Sequence, residues 1–474
     1  MISRILSTPL PMAPGRLPAG KPRRIHPDVL AAVLPGPGRD RLAGGEVLAI
    51  TTGQQPALFT GPLYTVYKAL SAVALAQRIE RERGIPVVPV FWVAGDDHDF
   101  AEANHAAVLG RDGELVKIVL RERPHEAPQL PLFRELLGPE IRTALNALDA
   151  ALPDSECQPD VRHWLEACYR PDANLADAGA EALQQLLGGR GLAVFRAHDR
   201  NAKRAGAPWI LKALDETLPD GLTPVMVEGR LGRDRVRKDG NEFVLRRSGE
   251  RYTRAQLEKI AAETPERLSP NVLLRPVIEA ALFPTLAYVG GPGEMEYLPE
   301  AAPLFTSLGV ASQAHVPRWS GIIIEARVEK VLSKHGLTPA DFNSQPGTLE
   351  TRIAKAELPP ELAESLKALR DDVESRFARI TGEVQRLDPT LERTVQSARN
   401  AALAGTHEIE KKLIASLKRT QGTLVSQLAR ARAALMPDGK PQERVLSSVS
   451  FLARYSGALL DQIDAEVARW AAGL

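Results

Sequence analysis

The stretch that decides the fold is residues 47–83, VLAITTGQQPALFTGPLYTVYKALSAVALAQRIERER. Residues 47–52 are a short apolar run followed by a glycine, as expected of a buried strand. From Pro62 the apolar residues recur at helical intervals, and Gly84 is a typical helix stop. Residues 87–93 (VVPVFWV) then give a second, fully apolar strand. A strand, a loop, a helix and a further strand predict the start of a doubly wound α/β sheet.

The composition is typical of a soluble metabolic protein of several domains. A chain of 474 residues predicts two or three domains, and a net charge of +1 argues against binding nucleic acid or a membrane surface through bulk charge. No apolar run approaches the roughly 20 residues of a membrane span, and prolines interrupt the N-terminus where a signal peptide would be apolar. Cys157 and Cys168 fit neither a redox pair nor a zinc site. We therefore expect a cytoplasmic protein without nucleic-acid or membrane partners.

The first predicted domain is an α/β core that spans residues 1–348. Its middle part, about 110–220, is polar and predicts helical insertions between the strands of the sheet. An amphipathic helix is expected from about Ile322. Further elements are predicted from short apolar runs that end at glycine or polar residues, namely strands at 191–198, 223–227, 285–289 and 310–315 and a hairpin at 243–253.

The second predicted domain, residues 349–436, has a different composition. Aromatic residues nearly vanish, and apolar residues recur three and four positions apart on either side of Pro389. Two long helices around one proline predict an antiparallel coiled-coil hairpin, and a surface stripe on unpaired helices is the alternative. Residues 437–474 begin with a turn and give at least one more helix, which is expected to pack back on the core or on a dimer interface.

The loop between the first strand and its helix is the first candidate site. A glycine-containing loop that enters a helix N-terminus points backbone N–H groups and the positive end of the helix dipole at one place, which favours phosphate or carboxylate. The spacing of a Walker A loop and that of GxGxxG are both absent, and an ordinary strand-to-helix turn is the alternative. The candidate residues are Thr52, Gly53, Gln54, Gln55, Thr60, Gly61, Tyr64, Tyr67 and Lys68.

A second candidate site follows the second strand, where ligands bind in such sheets. The candidates are Asp97, His98, Asp99, Asn104 and His105. Carboxylates and imidazoles suit a divalent metal, but no fixed-spacing metal motif is present, so no resident metal is predicted. A cluster that binds an amine or a ribose by hydrogen bonds is an equal alternative, with Asp99 or His98 as general base. A solvated acidic turn is a further alternative.

Two more polar clusters follow later strands. The glycine-rich GGPGE lets backbone approach a ligand closely, and Glu294 is a candidate for binding an ammonium group. Arg318 is a candidate phosphate contact. The full set is Asn271, Arg275, Gly291, Gly293, Glu294, Tyr297, Arg318 and Ser320. Because all four clusters follow strands of one predicted sheet, they are expected to converge on one site.

Several long motifs together resemble the bacillithiol biosynthesis cysteine-adding enzymes, also called cysteine ligases. The resemblance runs in order along most of the chain, including the coiled-coil part. The motifs are TTGQQPALFTGPLYTVYKA (51–69), FWVAGDDHDFAEANH (91–105), SPNVLLRPV (269–277), LFPTLAYVGGPGE (282–294), VPRWS (316–320) and PDGKPQER (437–444).

The resemblance implies a Rossmann-like core with inserted connecting segments, a coiled coil and a homodimer formed through it. It implies a ligase that joins L-cysteine to the amine of glucosaminyl-malate in the last step of bacillithiol biosynthesis. Such cores are similar to class I aminoacyl-tRNA synthetases and other nucleotidylyl transferases. On that basis Tyr64 and Tyr67 occupy the two histidine places of a HIGH-like stretch, and residues 318–320 occupy that of a KMSKS-like loop. Many family members have histidine where this chain has Tyr67, and residues 295–299 are more acidic than the usual continuation.

A carboxylate is a poor electrophile, so amide formation needs activation. We hypothesise that ATP activates the cysteine carboxylate. The sequence does not decide whether Mg²⁺ accompanies the nucleotide. The helix start at Gly61 and Arg318 would stabilise phosphate charge, and the predicted catalytic residues are Gln54, Tyr64, Asp97, His98 and Asp99. Two alternatives stand beside this hypothesis. One is a nucleotidyl transferase or ATP-dependent ligase that acts on another small amine or carboxylate, and the other is a scaffold whose coiled coil is the function.

Overall fold

The computed structural model describes residues 2–420 and 422–474. These residues form two compact units: unit 1 comprises residues 2–325 and Lys440–Leu474, and unit 2 comprises Ala326–Gly439. Residues 1 and 421, which fall in the first and second predicted domains, lie outside the described residues.

Unit 1 contains the strands of the described chain. In chain order they are β1 Ile2–Ser7, β2 Leu48–Gln54, β3 Val87–Val93, β4 His105–Leu109, β5 Leu115–Val119, β6 Ala193–Arg196, β7 Val225–Gly229, β8 Gly232–Asp239, β9 Glu242–Leu245, β10 Arg251–Thr253, β11 Leu268–Pro270, β12 Thr285–Gly290, β13 Ala314–Pro317 and β14 Gly321–Glu325.

The central sheet of unit 1 is parallel, with strand order β13-β12-β2-β3-β6. Side chains alternate between two cores along its strands: Leu48 and Ile50 pack on one face of β2, whereas Ala49 packs on the other. Both faces are therefore covered, as expected of a parallel sheet. The other named strands of the described residues form an antiparallel sheet, β10-β9-β8-β7-β11, and two antiparallel pairs, β4-β5 and β1-β14.

Helices surround these sheets. In unit 1 they are α1 Pro27–Ala31, α2 Pro37–Ala43, α3 Leu63–Arg83, α4 Phe100–Ala103, α5 Glu140–Ala151, α6 Gln158–Cys168, α7 Leu175–Leu187, α8 Arg200–Ala213, α9 Arg254–Glu263, α10 Arg275–Leu282, α11 Pro292–Tyr297 and α12 Ala302–Ser307, and after unit 2 α18 Gln442–Val445, α19 Val449–Tyr455 and α20 Ala458–Ala472.

The predicted order of strand, loop, helix and strand is confirmed by β2, α3 and β3. Pro62 is the N-cap of α3, and Gly84 ends the helix in the left-handed conformation with φ 64°. Its backbone N–H donates to the carbonyl of Glu80, as a glycine stop does. Most of the α3 surface is buried because β2, β3 and α20 all pack against it.

Unit 2 is helical, and its core is a hairpin of two long antiparallel helices. Its helices are α13 Ala326–His335, α14 Thr348–Ala356, α15 Pro360–Leu387, α16 Glu392–Thr420 and α17 Gly422–Leu435. Ion pairs tie α15 to α16, Arg370–Glu410 at 2.9 Å and Arg399–Glu374 at 3.2 Å. The break at Pro389 and the coiled-coil pairing are thus present as predicted.

One predicted element is wrong and others differ in extent. The helix expected from about Ile322 is instead strand β14, and α13 begins only at Ala326. The isoleucines there pair with β1 at the opposite end of the chain, which local periodicity cannot detect. The strand predicted at 310–315 begins at Ala314, and the range 110–220 also contains β5 and the sheet-edge strand β6. No helix of residues 2–420 or 422–474 is long and apolar enough to cross a membrane.

Candidate functional site

A cavity of about 400 Å³ opens in unit 1 where the central strands end. Loops that follow β2, β3, β12 and β13 line it, because the carboxyl ends of parallel strands share one edge of the sheet. The predicted site residues that line this cavity are Gly53, Gln54, Gln55, Tyr64, Lys68, Asp97, Asn271, Arg275, Gly291, Gly293, Glu294, Tyr297 and Arg318.

The other predicted residues lie outside the cavity lining. They are Thr52, Thr60, Gly61, Tyr67, His98, Asp99, Asn104, His105 and Ser320. Several of them have structural partners instead. The Thr52 hydroxyl donates to the carbonyl of Val289 at 2.7 Å, and the Asn104 amide donates to the carbonyl of Arg121 at 2.7 Å. The hydroxyls of Ser320 and Thr8 are hydrogen-bonded at 3.0 Å.

The start of α3 is covered by the C-terminal segment of unit 1. The Leu63 N–H donates to the carbonyl of Leu446 at 2.8 Å, and the hydroxyls of Thr60 and Ser448 are 3.0 Å apart. Tyr67 is fully buried against Trp319, with ring centroids 4.7 Å apart, and burial raises the pKa of its hydroxyl well above the usual value. The structure therefore places side chains, rather than the first amides of α3, at the cavity.

Lys68 lies at the floor of the cavity and is only 1% exposed. Its ammonium donates to the carbonyl of Gly53 at 2.5 Å, to Gln54 Oε1 at 3.1 Å and to Glu294 Oε2 at 2.5 Å. Burial lowers the pKa of Lys68, although the neighbouring carboxylate opposes that effect. Burial acts to raise the pKa of Glu294, but Lys68 and Arg275 outweigh it and hold the pKa below its usual value. This ion pair joins α3 to α11, the helix that follows β12.

Arg275 lies beside this pair and stacks on the ring of Tyr288, with 4.7 Å between guanidinium and ring centroid. Its Nη1 donates to Glu279 Oε2 at 3.2 Å, and its buried Nη2 has no hydrogen-bond partner among the described residues, although Glu294 Oε1 lies 3.9 Å away. Glu279 is fully buried, and burial raises its pKa to about 7 despite Arg275. Arg275 thus has a fixed orientation and one N–H edge left over for an anion.

Arg318 follows β13 and forms a two-pronged ion pair with Glu443. Its Nη1 and Nη2 donate to the two carboxylate oxygens at 2.8 and 2.6 Å, whereas its buried Nε lacks a partner within the part of the chain that the structure describes. The guanidinium lies 5.8 Å from the ring centroid of Tyr64, whose hydroxyl accepts a hydrogen bond from Gln54 at 3.2 Å. Burial raises the pKa of Tyr64 to about 12, so it stays a neutral phenol at neutral pH.

The acidic side of the cavity follows β3. Asp97 Oδ1 accepts the backbone N–H groups of His98 and Asp99 at 2.6 and 3.1 Å, and Asp99 caps α4 by accepting the N–H of Glu102 at 3.0 Å. Burial lowers the pKa of His98, and burial together with Asp99 and Asp97 raises the pKa of Glu102. Within residues 2–420 and 422–474, no group of three His, Cys, Asp or Glu side chains is arranged to hold a metal ion.

Several residues that line the cavity were not among the sequence candidates. They are chiefly Asp96, Glu102, Arg233, Tyr288 and Arg444. Asp96 and Glu102 flank the predicted acidic cluster, and position in the motif could have suggested them. Arg233 lies on β8 of the antiparallel sheet, and Arg444 lies on α18 after unit 2. No spacing rule connects either arginine to the central strands, because only the folded chain brings them together.

The chain has a parallel Rossmann-like sheet with a charged cavity at its strand ends, and it also has a coiled-coil hairpin. It is therefore an α/β protein of the Rossmann-like class with an added coiled-coil domain. Two family models match the chain. One, described as "Bacillithiol biosynthesis BshC, N-terminal Rossmann-like domain", matches residues 39–220 and 225–319. The other, described as "Bacillithiol biosynthesis BshC, C-terminal coiled-coil domain", matches residues 321–468. The chain belongs to the BshC family of bacillithiol biosynthesis, and the family and fold class predicted from the sequence are confirmed.

Curated relatives span nearly the whole chain. A protein of Salinibacter ruber is 33% identical over 459 residues, covering 90% of this chain and 81% of the relative. A protein of Chlorobaculum tepidum is 30% identical over 466 residues, with the same two coverages. Both carry the name "Putative cysteine ligase BshC", in agreement with the predicted enzyme class, a ligase.

Among solved structures, the chain aligns with a Mycobacterium tuberculosis methionyl-tRNA synthetase in complex with methionyl-adenylate. The alignment covers 90% of this chain and 93% of that one, at 11% identity and a TM-score of 0.25. A similarity this low supports no inference about the function of this chain.

Proposed function

We propose that this chain is a ligase that joins L-cysteine to the amine of glucosaminyl-malate, with ATP as the activating co-substrate. Family membership and the printed name of the relatives support cysteine as a substrate. The observation that carries the proposal is the cavity itself, which is lined by both cations and carboxylates. Arg275, Arg318 and Glu294 lie near the ends of β12 and β13, and Asp96 and Asp97 follow β3 and interact with Arg233. Such a cavity suits one ligand with an anionic group and another with an amine.

The residues of the cavity fit a nucleotide phosphate. Buried N–H groups of Arg275 and Arg318 make no hydrogen bond within the described chain, and an unpaired buried donor is costly unless a ligand satisfies it. A volume of about 400 Å³ lies in the range of small-molecule sites. When bound, ATP would supply the leaving group that a free carboxylate lacks. Arg275 and Arg318 would stabilise negative charge as it develops.

The carboxylates at the end of β3 would hold the acceptor amine. Asp97 lines the cavity and would orient an ammonium group, and Glu102 would accept its proton. Because its pKa is raised, Glu102 is a better proton acceptor at neutral pH than an ordinary carboxylate. Lys68, whose three donors are all engaged, would position Glu294 and Gln54 rather than touch substrate.

We also propose that the chain forms a homodimer through the hairpin of unit 2. Coiled-coil positions on both long helices are exposed in the single chain, including Leu369, Ile380 and Ile409. Apolar seam residues are normally covered by a partner helix, and a second copy of the hairpin would cover them.

The reaction can be tested with purified protein, cysteine, glucosaminyl-malate and ATP. The expected result is a cysteinyl product formed only with nucleotide, together with either AMP and pyrophosphate or ADP and phosphate. The pair that appears identifies the bond of ATP that is broken, and a series with EDTA or Mg²⁺ tests the metal requirement. Product without nucleotide would overturn the activation step. No product, with turnover of another amine or carboxylate, would favour a different ligase or a nucleotidyl transferase.

A further inference from the structure

The cations that line the cavity differ in how many N–H donors they have free. They are Lys68, Arg233, Arg275, Arg318 and Arg444. An ammonium has three donors and a guanidinium has five. The three donors of Lys68 are bonded to Gly53 and Gln54 of β2 and to Glu294 of α11, so Lys68 has none left for a ligand.

The first three arginines are partly or largely engaged by protein acceptors. Both terminal nitrogens of Arg318 donate to Glu443. Arg275 uses one terminal nitrogen on Glu279, and Arg233 donates through Nε and Nη2 at 2.9 and 2.6 Å to neighbouring acceptors. Each of the three therefore has part of its guanidinium already committed to protein acceptors.

Arg444 is different. It is exposed at the cavity, and its side chain makes no hydrogen bond or ion pair with any residue that the structure describes. All five N–H donors of its guanidinium are therefore available in the fork geometry that matches carboxylate and phosphate oxygens.

The backbone that carries Arg444 is held by the two residues that precede it. Gln442 is fully buried, and its amide group accepts from the N–H of Ile323 at 2.8 Å and donates to the carbonyl of Ile323 at 2.9 Å. Glu443 is locked by its pair with Arg318. The fixed backbone places the Cα of Arg444 at the cavity, so that only its side chain has to be ordered when a ligand binds.

We infer that Arg444 is a substrate-binding residue of the cavity that takes an anionic group, a carboxylate or a phosphate, by paired N–H bonds. The identity of that anionic group rests on the proposed function. The inference adds to the proposed site a contact from residues 440–474, which follow unit 2. Glu443 is a positioning residue, since it acts through Arg318.

The test compares Arg444→Gln with Lys440→Gln in the full chain. Lys440 is exposed in the same segment and does not line the cavity, so its replacement removes the same charge. Binding of inorganic pyrophosphate and of L-malate is measured by calorimetry. Arg444→Gln is expected to weaken at least one probe about 10- to 100-fold, since a charged hydrogen-bond pair contributes about 1.5–3 kcal/mol. Lys440→Gln should stay within about twofold of the parent chain.

The two probes separate the sources of the anion. An effect on pyrophosphate alone assigns Arg444 to a phosphate, and an effect on malate alone assigns it to a carboxylate. The unfolding midpoint of Arg444→Gln should stay close to that of the parent chain, because the side chain has no hydrogen bond or ion pair among the described residues to lose. Equal binding of both probes to Arg444→Gln and to the parent chain, or no binding of either probe to the parent chain, would overturn the inference.

These probes need no catalysis, so the two proposals fail separately. If Arg444→Gln loses a probe but the chain joins no cysteine in the assay, the proposed reaction fails and the anion contact stands. If the chain joins cysteine but Arg444→Gln binds both probes normally, the reaction stands and the contact fails.

Discussion

Gly53 ends the buried part of β2 at a point where the neighbouring strand leaves no room for a side chain. A Cβ on Gly53 would lie 2.8 Å from the carbonyl oxygen of Trp92 and 2.9 Å from its Cβ. The carbonyl of Gly53 also accepts the ammonium of Lys68. The absence of a side chain therefore sets both the spacing of β2 and β3 and the position of the lysine below the cavity.

Gly53→Ala should lower the free energy of unfolding by about 1–3 kcal/mol, because the added methyl group must push two paired strands apart. Chemical denaturation measures this change. Gly45→Ala is the matched control, since a Cβ there meets no atom within 4 Å. Equal stability of the two variants would show that β2 and β3 adjust without strain.

At the scale of elements, the hairpin of α15 and α16 leaves apolar residues exposed along its seam. Ile380 is 45% exposed, Ile409 is 50% exposed and Leu387 is 85% exposed. The partly exposed ion pairs between the two helices add little stability and do not cover this surface. A surface of this kind on a coiled coil is typical of an association site.

Ile380→Glu should raise the dissociation constant of the proposed dimer tenfold or more, because a carboxylate would be placed in an apolar contact. Analytical ultracentrifugation across a concentration series measures it. Ala378→Glu adds the same charge at an exposed position off the predicted seam and should leave the dissociation constant unchanged. A parent chain that stays monomeric throughout the series would remove the basis for the dimer.

At the scale of the whole molecule, the chain leaves unit 1 at Glu325 and returns to it at Lys440. The returning segment supplies Glu443 to Arg318, covers the start of α3 and adds Arg444 to the cavity. The cavity therefore contains residues from both sequence segments of unit 1, residues 2–325 and residues 440–474. It is incomplete until the second segment, the last 35 residues, has packed.

Glu443→Gln should destabilise unit 1 by about 3–5 kcal/mol, because it leaves the buried Arg318 without its counter-charge. Thermal and chemical unfolding of the full chain measure this loss. The double variant Glu443→Gln with Arg318→Met should recover part of the stability, since no uncompensated buried charge remains. A single variant as stable as the parent chain would mean that water or a neighbouring group compensates Arg318.

The sequence by itself determined the parts of the fold that depend on local periodicity. The runs that became β2, α3 and β3 have strand and helix spacing within one short stretch, and Gly84 stops the helix by its own backbone freedom. The place of the cavity also followed, since parallel strands end at one edge of a sheet, whatever lies between them in the chain.

Only the tertiary structure decided which polar groups face that cavity. Thr60 and Gly61 lie in the predicted loop, yet the returning C-terminal segment contacts this loop and both residues lie outside the cavity lining. Arg233 and Arg444 come from distant parts of the chain and line the cavity. The physical reason is that the partners of a side chain depend on long-range packing. They also depend on which of its hydrogen-bond donors other protein groups already engage, and local spacing in the sequence encodes neither property.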